Sequence, residues 1–185
     1  MRVKGTAVVT LPLFIQTTFG EDAFQKWLSQ LSTEAGDVYN YPILPTSWYP
    51  VKEILVEPTR KICELFYKGS MKGAWESGRF SADYGLKGIY KVFVKLGSVQ
   101  FIIKKATTIL PTYYDSCRIN VVNFSGKQTI LHIAKFQSPD EIIEHRIGGW
   151  MERALEICGC KGIKVDITKS LAKGDPVTEY HISWN

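Results

Sequence analysis

Histidine and cysteine are scarce in this sequence, three and four among 185 residues. The cysteines, Cys63, Cys117, Cys158 and Cys160, are too few and too irregularly spaced for a disulfide scaffold. No apolar stretch reaches the roughly 18–20 residues that a transmembrane helix needs. The opening run TAVVTLPLFIQ is interrupted by Thr6, Thr10 and Pro12, and no small-residue cleavage site follows it. A secretory leader is therefore not expected, and the cytoplasm is the expected location. There is no Walker loop, no G-x-S-x-G turn and no paired zinc-ligand spacing. No DNA- or RNA-reading motif appears either, so a nucleic-acid partner is not expected.

What is present is an ordinary globular composition, 45% hydrophobic and 22% charged, with enough chain for one core. The net charge of +5 is unevenly spread. Residues 50–110 hold 11 Lys or Arg against 5 Asp or Glu, and the remainder is close to neutral. A basic face in the middle third suits an acidic protein partner. Lys87, Lys91 and Lys95 form an i, i+4 row opposite the stripe Leu86, Ile89, Phe93. That row is either a solvated face or the docking face for such a partner.

The pattern divides the chain at about residue 115. Residues 1–115 read as mainly helical. QKWLSQL follows the acidic pair Glu21 and Asp22, as a first turn should. YPVKEILVEPTRKICELFYKG keeps helical spacing around Pro58, which predicts a kink or break. SVQFIIKKATTIL carries a stripe of Val99, Ile102, Ile103, Ala106 and Ile109. Residues 116–185 read as β-β-α-β-β. CRINVVNF and QTILHIAKF flank SGK as a hairpin, and GIKVDITKSL and VTEYHISW form a second strand pair. Between them, SPDEIIEHRIGGWMERALEIC predicts a helix with Ser138 at its N-cap. The predicted fold class is α+β, a helical half packed with a four-stranded antiparallel sheet, in one domain over 1–185.

CGC at 158–160 invites a metal or redox reading. Its helical spacing puts Cys158 on the buried stripe, Gly159 at the left-handed stop and Cys160 in the exit loop. A structural role accounts for all three, and zinc is not expected. Gly148 and Gly149 predict close helix–sheet packing beside Trp150. His181 shares a polar strand face with Glu179, and His145 lies off the apolar stripe. No nucleophile–base pattern emerges, so no catalytic residue is assigned. Aromatics beside polar residues are how a pocket for a flat or acyl ligand would look. The candidate lining is Trp48, Trp75, Arg79, Tyr84, Phe93, Phe101 and His132.

The order helices, hairpin, helix, hairpin, with SCRINVVNFSGKQTILHIAKFQSPDEIIEHRIGGWMERALEICGCKGIKVDI, resembles the C-terminal half of haem–nitric oxide/oxygen-binding (H-NOX) domains. That superfamily also holds 4-vinyl-reductase-type domains and TRAPP vesicle-tethering subunits. VKGTAVVTLPLFIQTTFGEDAFQKWL, SWYPVKEI and ESGRFSADYGLKGIYKVF are more similar to an uncharacterised bacterial family abundant in myxobacteria. The resemblance implies a haem with a proximal histidine on the helix before the sheet and a Tyr-x-Ser-x-Arg clamp near HIAKFQS. SVQFIIKKATTIL contains no histidine, and Ala134, Lys135 and Gln137 stand at the clamp. The expectation is that no haem and no other cofactor is bound.

The expected function is that of a non-catalytic bacterial sensor or adaptor, binding a small, largely apolar ligand or a protein partner, with homodimerisation left open. Its rivals are a haem gas sensor with another axial ligand, such as His132 or a cysteine, an enzyme on a hydrophobic or tetrapyrrole-like substrate, and an assembly module like the TRAPP subunits. Fold alone does not choose among them.

Overall fold

A computed structural model describes residues 1–86 and 99–185, except the side chains of 100–102, 105 and 106. The lysine row Lys87, Lys91, Lys95, with Phe93 and the Phe101 side chain, lies outside the described residues. The elements in chain order begin with β1 (Arg2–Lys4), α1 (Gly5–Val8), α2 (Thr10–Phe19), α3 (Glu21–Leu28), α4 (Thr33–Tyr39) and β2 (Trp48–Pro50). A π-helical turn, Lys52–Val56, runs into α5 (Glu57–Tyr67), which is followed by α6 (Lys72–Leu86) and α7 (Val99–Tyr113). Then come β3 (Arg118–Ser125), β4 (Gln128–Ala134), α8 (Glu141–Ile157), β5 (Lys164–Lys169) and β6 (Thr178–Ser183). The α+β class is as the pattern predicts.

The sheet order is β3-β4-β6-β5, antiparallel throughout. Alternation sorts its faces. Val121, Leu131, Tyr180 and Ile167 lie in one cross-strand row on the inner face. Asn120, His132, Glu179 and Lys169 form the row beside it on the outer face. α8 lies between the sheet and α6, so it is buried on two sides. Ile142, Ile143, Glu144, Arg146, Ile147, Trp150 and Met151 are all buried.

The crossing of α6 and α8 depends on glycine. A Cβ on Gly78 would overlap the Arg146 carbonyl, and one on Gly149 would overlap the Trp75 carbonyl. A Cβ on Gly148 would meet the Trp75 ring. Gly148 and Gly149 thus admit α6 and not, as their place in the sequence suggests, the sheet, which touches α8 from the other side. Ion pairs flank the crossing: Arg153 with Asp83 at 3.0 Å, and Arg79 with Glu156 at 2.8 Å and with Glu152.

Three further details differ from the pattern. Asp140, not Ser138, is the N-cap of α8, and its carboxylate accepts from the Ile142 amide at 2.8 Å. The Glu144 amide donates to the Asp140 carbonyl at 3.2 Å, so the helical bonds begin at Asp140, two residues after Ser138. Pro58 does not break a helix. It sits in the first turn of α5, where its missing N–H matters least, and the π turn precedes it. β1 and β2 make a small antiparallel pair, too short to be read from three residues each, and Val3 also bridges to Tyr114.

The CGC segment closes α8 with a left-handed glycine. Gly159 has φ of 89°, its amide donates to the Glu156 carbonyl, and the Cys160 amide donates to the Leu155 carbonyl. Cys158 and Cys160 are both half-buried, so the expected contrast between a core and a loop cysteine is absent.

Gly78→Ala should cost about 3 kcal/mol, because two backbones must part to admit one methyl group. Gly36→Ala in α4, where a Cβ meets nothing nearer than the Asn40 side chain at 3.9 Å, should gain about 0.5–1 kcal/mol from helix propensity. Urea unfolding of the two variants checks both. A Gly78→Ala protein as stable as wild type would mean that the helices are not held at glycine contact.

Candidate functional site

α8 carries two buried ions, two residues and so about 200° apart around the helix. Glu144 points to the sheet side. Its carboxylate accepts from the hydroxyl of Ser170 at 2.6 Å and that of Thr178 at 2.5 Å, and Tyr180 donates its hydroxyl to the Glu144 carbonyl at 2.9 Å. Arg146 points to the helical side. Its guanidinium donates to Ser77 Oγ at 2.8 Å, Thr10 Oγ1 at 2.9 Å and the Ala7 carbonyl at 3.0 Å.

Arg146 is only 3% exposed, yet all three of these acceptors are neutral. No carboxylate among the described residues forms an ion pair with it. The undescribed positions contain no Asp or Glu. Buried charges are ordinarily paired, because removing an ion from water costs several kcal/mol. Burial pushes the Arg146 pKa down, and the nearby Tyr114 and Tyr39 oppose the fall. Guanidinium remains a cation through such a shift.

Arg146 borders a partly open cavity of about 20 Å³. Ala7 of α1, Gly78 and Ser81 of α6, Leu110 and Tyr113 of α7, Tyr114, and Ile147 and Trp150 of α8 complete its lining. Burial raises the pKa of both tyrosines, so both phenols stay protonated. A second cavity, about 10 Å³, lies between α8 and the sheet.

Of the described members of the predicted pocket, Trp75 and Arg79 meet on one carboxylate, and Trp48, Tyr84 and His132 stand apart from them. Trp48 stands on the small sheet with the Lys4 ammonium 4.5 Å from its ring. Trp75 donates its indole N–H to Glu152 at 2.8 Å, and Arg79 joins the same carboxylate on the α6–α8 seam. Tyr84 is exposed. His132 is on the outer sheet face, 2.6 Å from Glu179. Sequence reasoning missed Arg146, although a signal was there. Arg146 falls between Ile143 and Ile147 and four residues before Trp150, at helical spacing with the apolar stripe.

On the outer sheet face Glu179 also meets Lys169 at 3.1 Å, Thr168 at 2.8 Å and His181 at 3.2 Å. Its hydrogen bonds from His132, Thr168 and Lys169 hold its carboxyl down at about 2. Among the described residues no group of three His, Cys, Asp or Glu is arranged to hold a metal ion. No described helix is long and apolar enough to cross a membrane.

No protein-family model matches the chain, and no curated protein matches it in sequence. Solved structures do match in fold. A triply substituted H-NOX protein from S. oneidensis in the Fe(II) state superposes with a TM-score of 0.76 at 12% identity, covering 98% of this chain and 96% of that one. The S. oneidensis H-NOX protein in its Fe(II)NO state gives 0.73 at 14%, covering 98% and 99%. Unliganded Fe(II) H-NOX from K. algicida gives 0.69 at 12%, covering 98% and 96%. The fold is therefore the H-NOX fold over nearly the whole chain.

This corrects the expectation that no haem is involved. The solved H-NOX proteins are in Fe(II) states and a further one was solved to probe haem distortion in that family, so haem is the cofactor that the fold implies. The described residues meet such a group in part. Arg146 offers a cation for a carboxylate, and Leu110, Ile147 and Trp150 offer apolar surface. The lining includes no imidazole and no thiol, and protonated phenols are weak iron ligands. The cavity is also far smaller than the roughly 300 Å³ of a small-molecule pocket. The residues thus suit a porphyrin's carboxylates and edge rather than a histidine-ligated iron.

Glu179→Gln tests the outer-face cluster. A carboxyl held below its ordinary 4.5 contributes stability that is complete above that pH and is lost as pH falls through about 2. The wild type should be more stable than the variant at pH 6, and the gap in urea midpoint should close between about pH 4.5 and 2. A gap unchanged down to pH 2 would remove the cluster as its cause.

Proposed function

We propose that this chain is a sensor domain of the H-NOX kind that loads haem between α6, α7 and α8. The shared fold supports the reading, and the buried, carboxylate-free Arg146 carries it. An interior cation facing an apolar cavity is what an acid-bearing, otherwise apolar ligand needs. Haem, when bound, supplies the iron that takes a diatomic gas. The chain's own residues do the rest. Arg146 orients the carboxylate end, and Leu110, Ile147 and Trp150 keep water from the other. Because the cavity is small, α7 must part from α8 on loading. Arg146 would then exchange Ser77, Thr10 and the Ala7 carbonyl for the ligand. That exchange loosens α1 and α2 from α8, so occupancy becomes a change of shape that a partner can read. The likeness of the N-terminal segments to the bacterial family, and a cytoplasmic setting, belong to this proposal.

The test titrates haemin and iron-free protoporphyrin IX into the wild type and into Arg146→Met. Both tetrapyrroles should bind one per chain and quench tryptophan fluorescence. Both should bind about tenfold or more weakly to the variant, since a charged hydrogen bond is lost. Absence of one-to-one binding by either compound, or equal affinities for both proteins, would end the proposal.

A further inference from the structure

Three neutral acceptors satisfy hydrogen bonds of Arg146 but do not neutralise its charge. The Ala7 carbonyl and the hydroxyls of Ser77 and Thr10 bring only partial negative charge. No described carboxylate pairs with it, and the undescribed stretch contains no Asp or Glu. Glu144 is on the other side of α8 and is already held by Ser170 and Thr178. An anion from solution is what would neutralise a cation buried in this way.

Beside it is space for one. The cavity of about 20 Å³ exceeds the roughly 10–15 Å³ that a single water requires. Ser81, Tyr113 and Tyr114, each with a hydroxyl, share the lining with Ala7, Ile147 and Trp150. No carboxylate is among these residues, so nothing there repels negative charge. We propose that the chain binds a small monovalent anion, of the halide or nitrite class, against the Arg146 guanidinium in this cavity. One guanidinium balances one negative charge. The mainly apolar walls favour ions that shed water readily, and without the parting of α7 that a porphyrin would require the volume excludes sulfate-sized or organic anions. The anion completes the link from α8 to α1, α2 and α6, so its binding stabilises the fold. The site does not need the haem reading, and a failed haemin titration would leave it standing.

The probe is bromide. Thermal unfolding of the full chain is followed in rising sodium bromide, with sodium gluconate holding ionic strength constant. Wild type should gain about 3–6 °C at ten times the dissociation constant, along a saturating curve. Nitrite should act as bromide does, and sulfate should not. Arg146→Met should show no saturating response. Ser81→Val, which keeps the arginine and fills the cavity, should lose it too, and it serves if Arg146→Met fails to fold. Crystals grown in bromide should show an anomalous peak at hydrogen-bond distance from the guanidinium. A bromide response that is equal in wild type and Ser81→Val, or a wild type that responds no differently to bromide and gluconate, overturns the proposal.

Discussion

The contact of α6 with α8 at glycine distance fixes most of what matters here. Two backbones meet where Gly78 faces the Arg146 carbonyl and Gly149 faces the Trp75 carbonyl. No side chain separates the helices at those points, so their crossing has little freedom. The ion pairs of Arg79 and Arg153 lie along the same seam and resist sliding. Their charges are only partly buried, so they contribute modestly and mainly set register. The close contact also decides where every other side chain of α8 points. With one face against α6 and another against the sheet, the helix must bury polar residues as well as apolar ones.

Those polar residues are treated unequally. Glu144 is surrounded by donors, two hydroxyls and a backbone amide, in an arrangement that a carboxylate accepts readily. It joins α8 to the segment between β5 and β6. Arg146 reaches across to α1, α2 and α6, and so joins the first residues of the chain to the C-terminal half. Truncating either one is costly because it leaves the buried groups that it holds without a partner. The two residues act as cross-links with different weaknesses. Glu144 has what it needs from the chain, and Arg146 lacks a counter-charge.

Much of this was legible in the sequence. Alternation in GIKVDITK and QTILHIA gives the sheet and its faces, because a period of two matches a strand buried on one side and no helix. The division at about residue 115 and the β-β-α-β-β order follow from the same signal. The haem-related fold was legible from the C-terminal segment, whereas its implied cofactor was set aside on the missing histidine. The candidate pocket fared differently, because aromatic and polar neighbours in sequence do not say which way each side chain turns. Trp75 and Arg79 are four residues apart on α6 and share Glu152, which lies 77 and 73 positions away. A long-range partner of that kind leaves no local trace. The π turn before Pro58 leaves none either, since its residues read as ordinary helix.

The wall that can yield is α7. α6 and α8 are fixed to each other at backbone contact, whereas α7 packs chiefly on β3 and touches the small sheet at its end. Any enlargement of the cavity must therefore move α7 outward and leave the glycine seam intact. Tyr113 and Tyr114 sit at the pivot, one at the end of α7 and one bridged to Val3. Val3 in turn pairs with Tyr49 and is followed directly by α1, which supplies the Ala7 carbonyl to Arg146. The same arginine is thus tied to the fixed seam through Ser77 and to the movable wall through α1 and β1. An anion at its guanidinium compensates a charge shared by both parts. Whatever enters or leaves that cavity acts where a buried cation holds α1, α2 and α6 to α8.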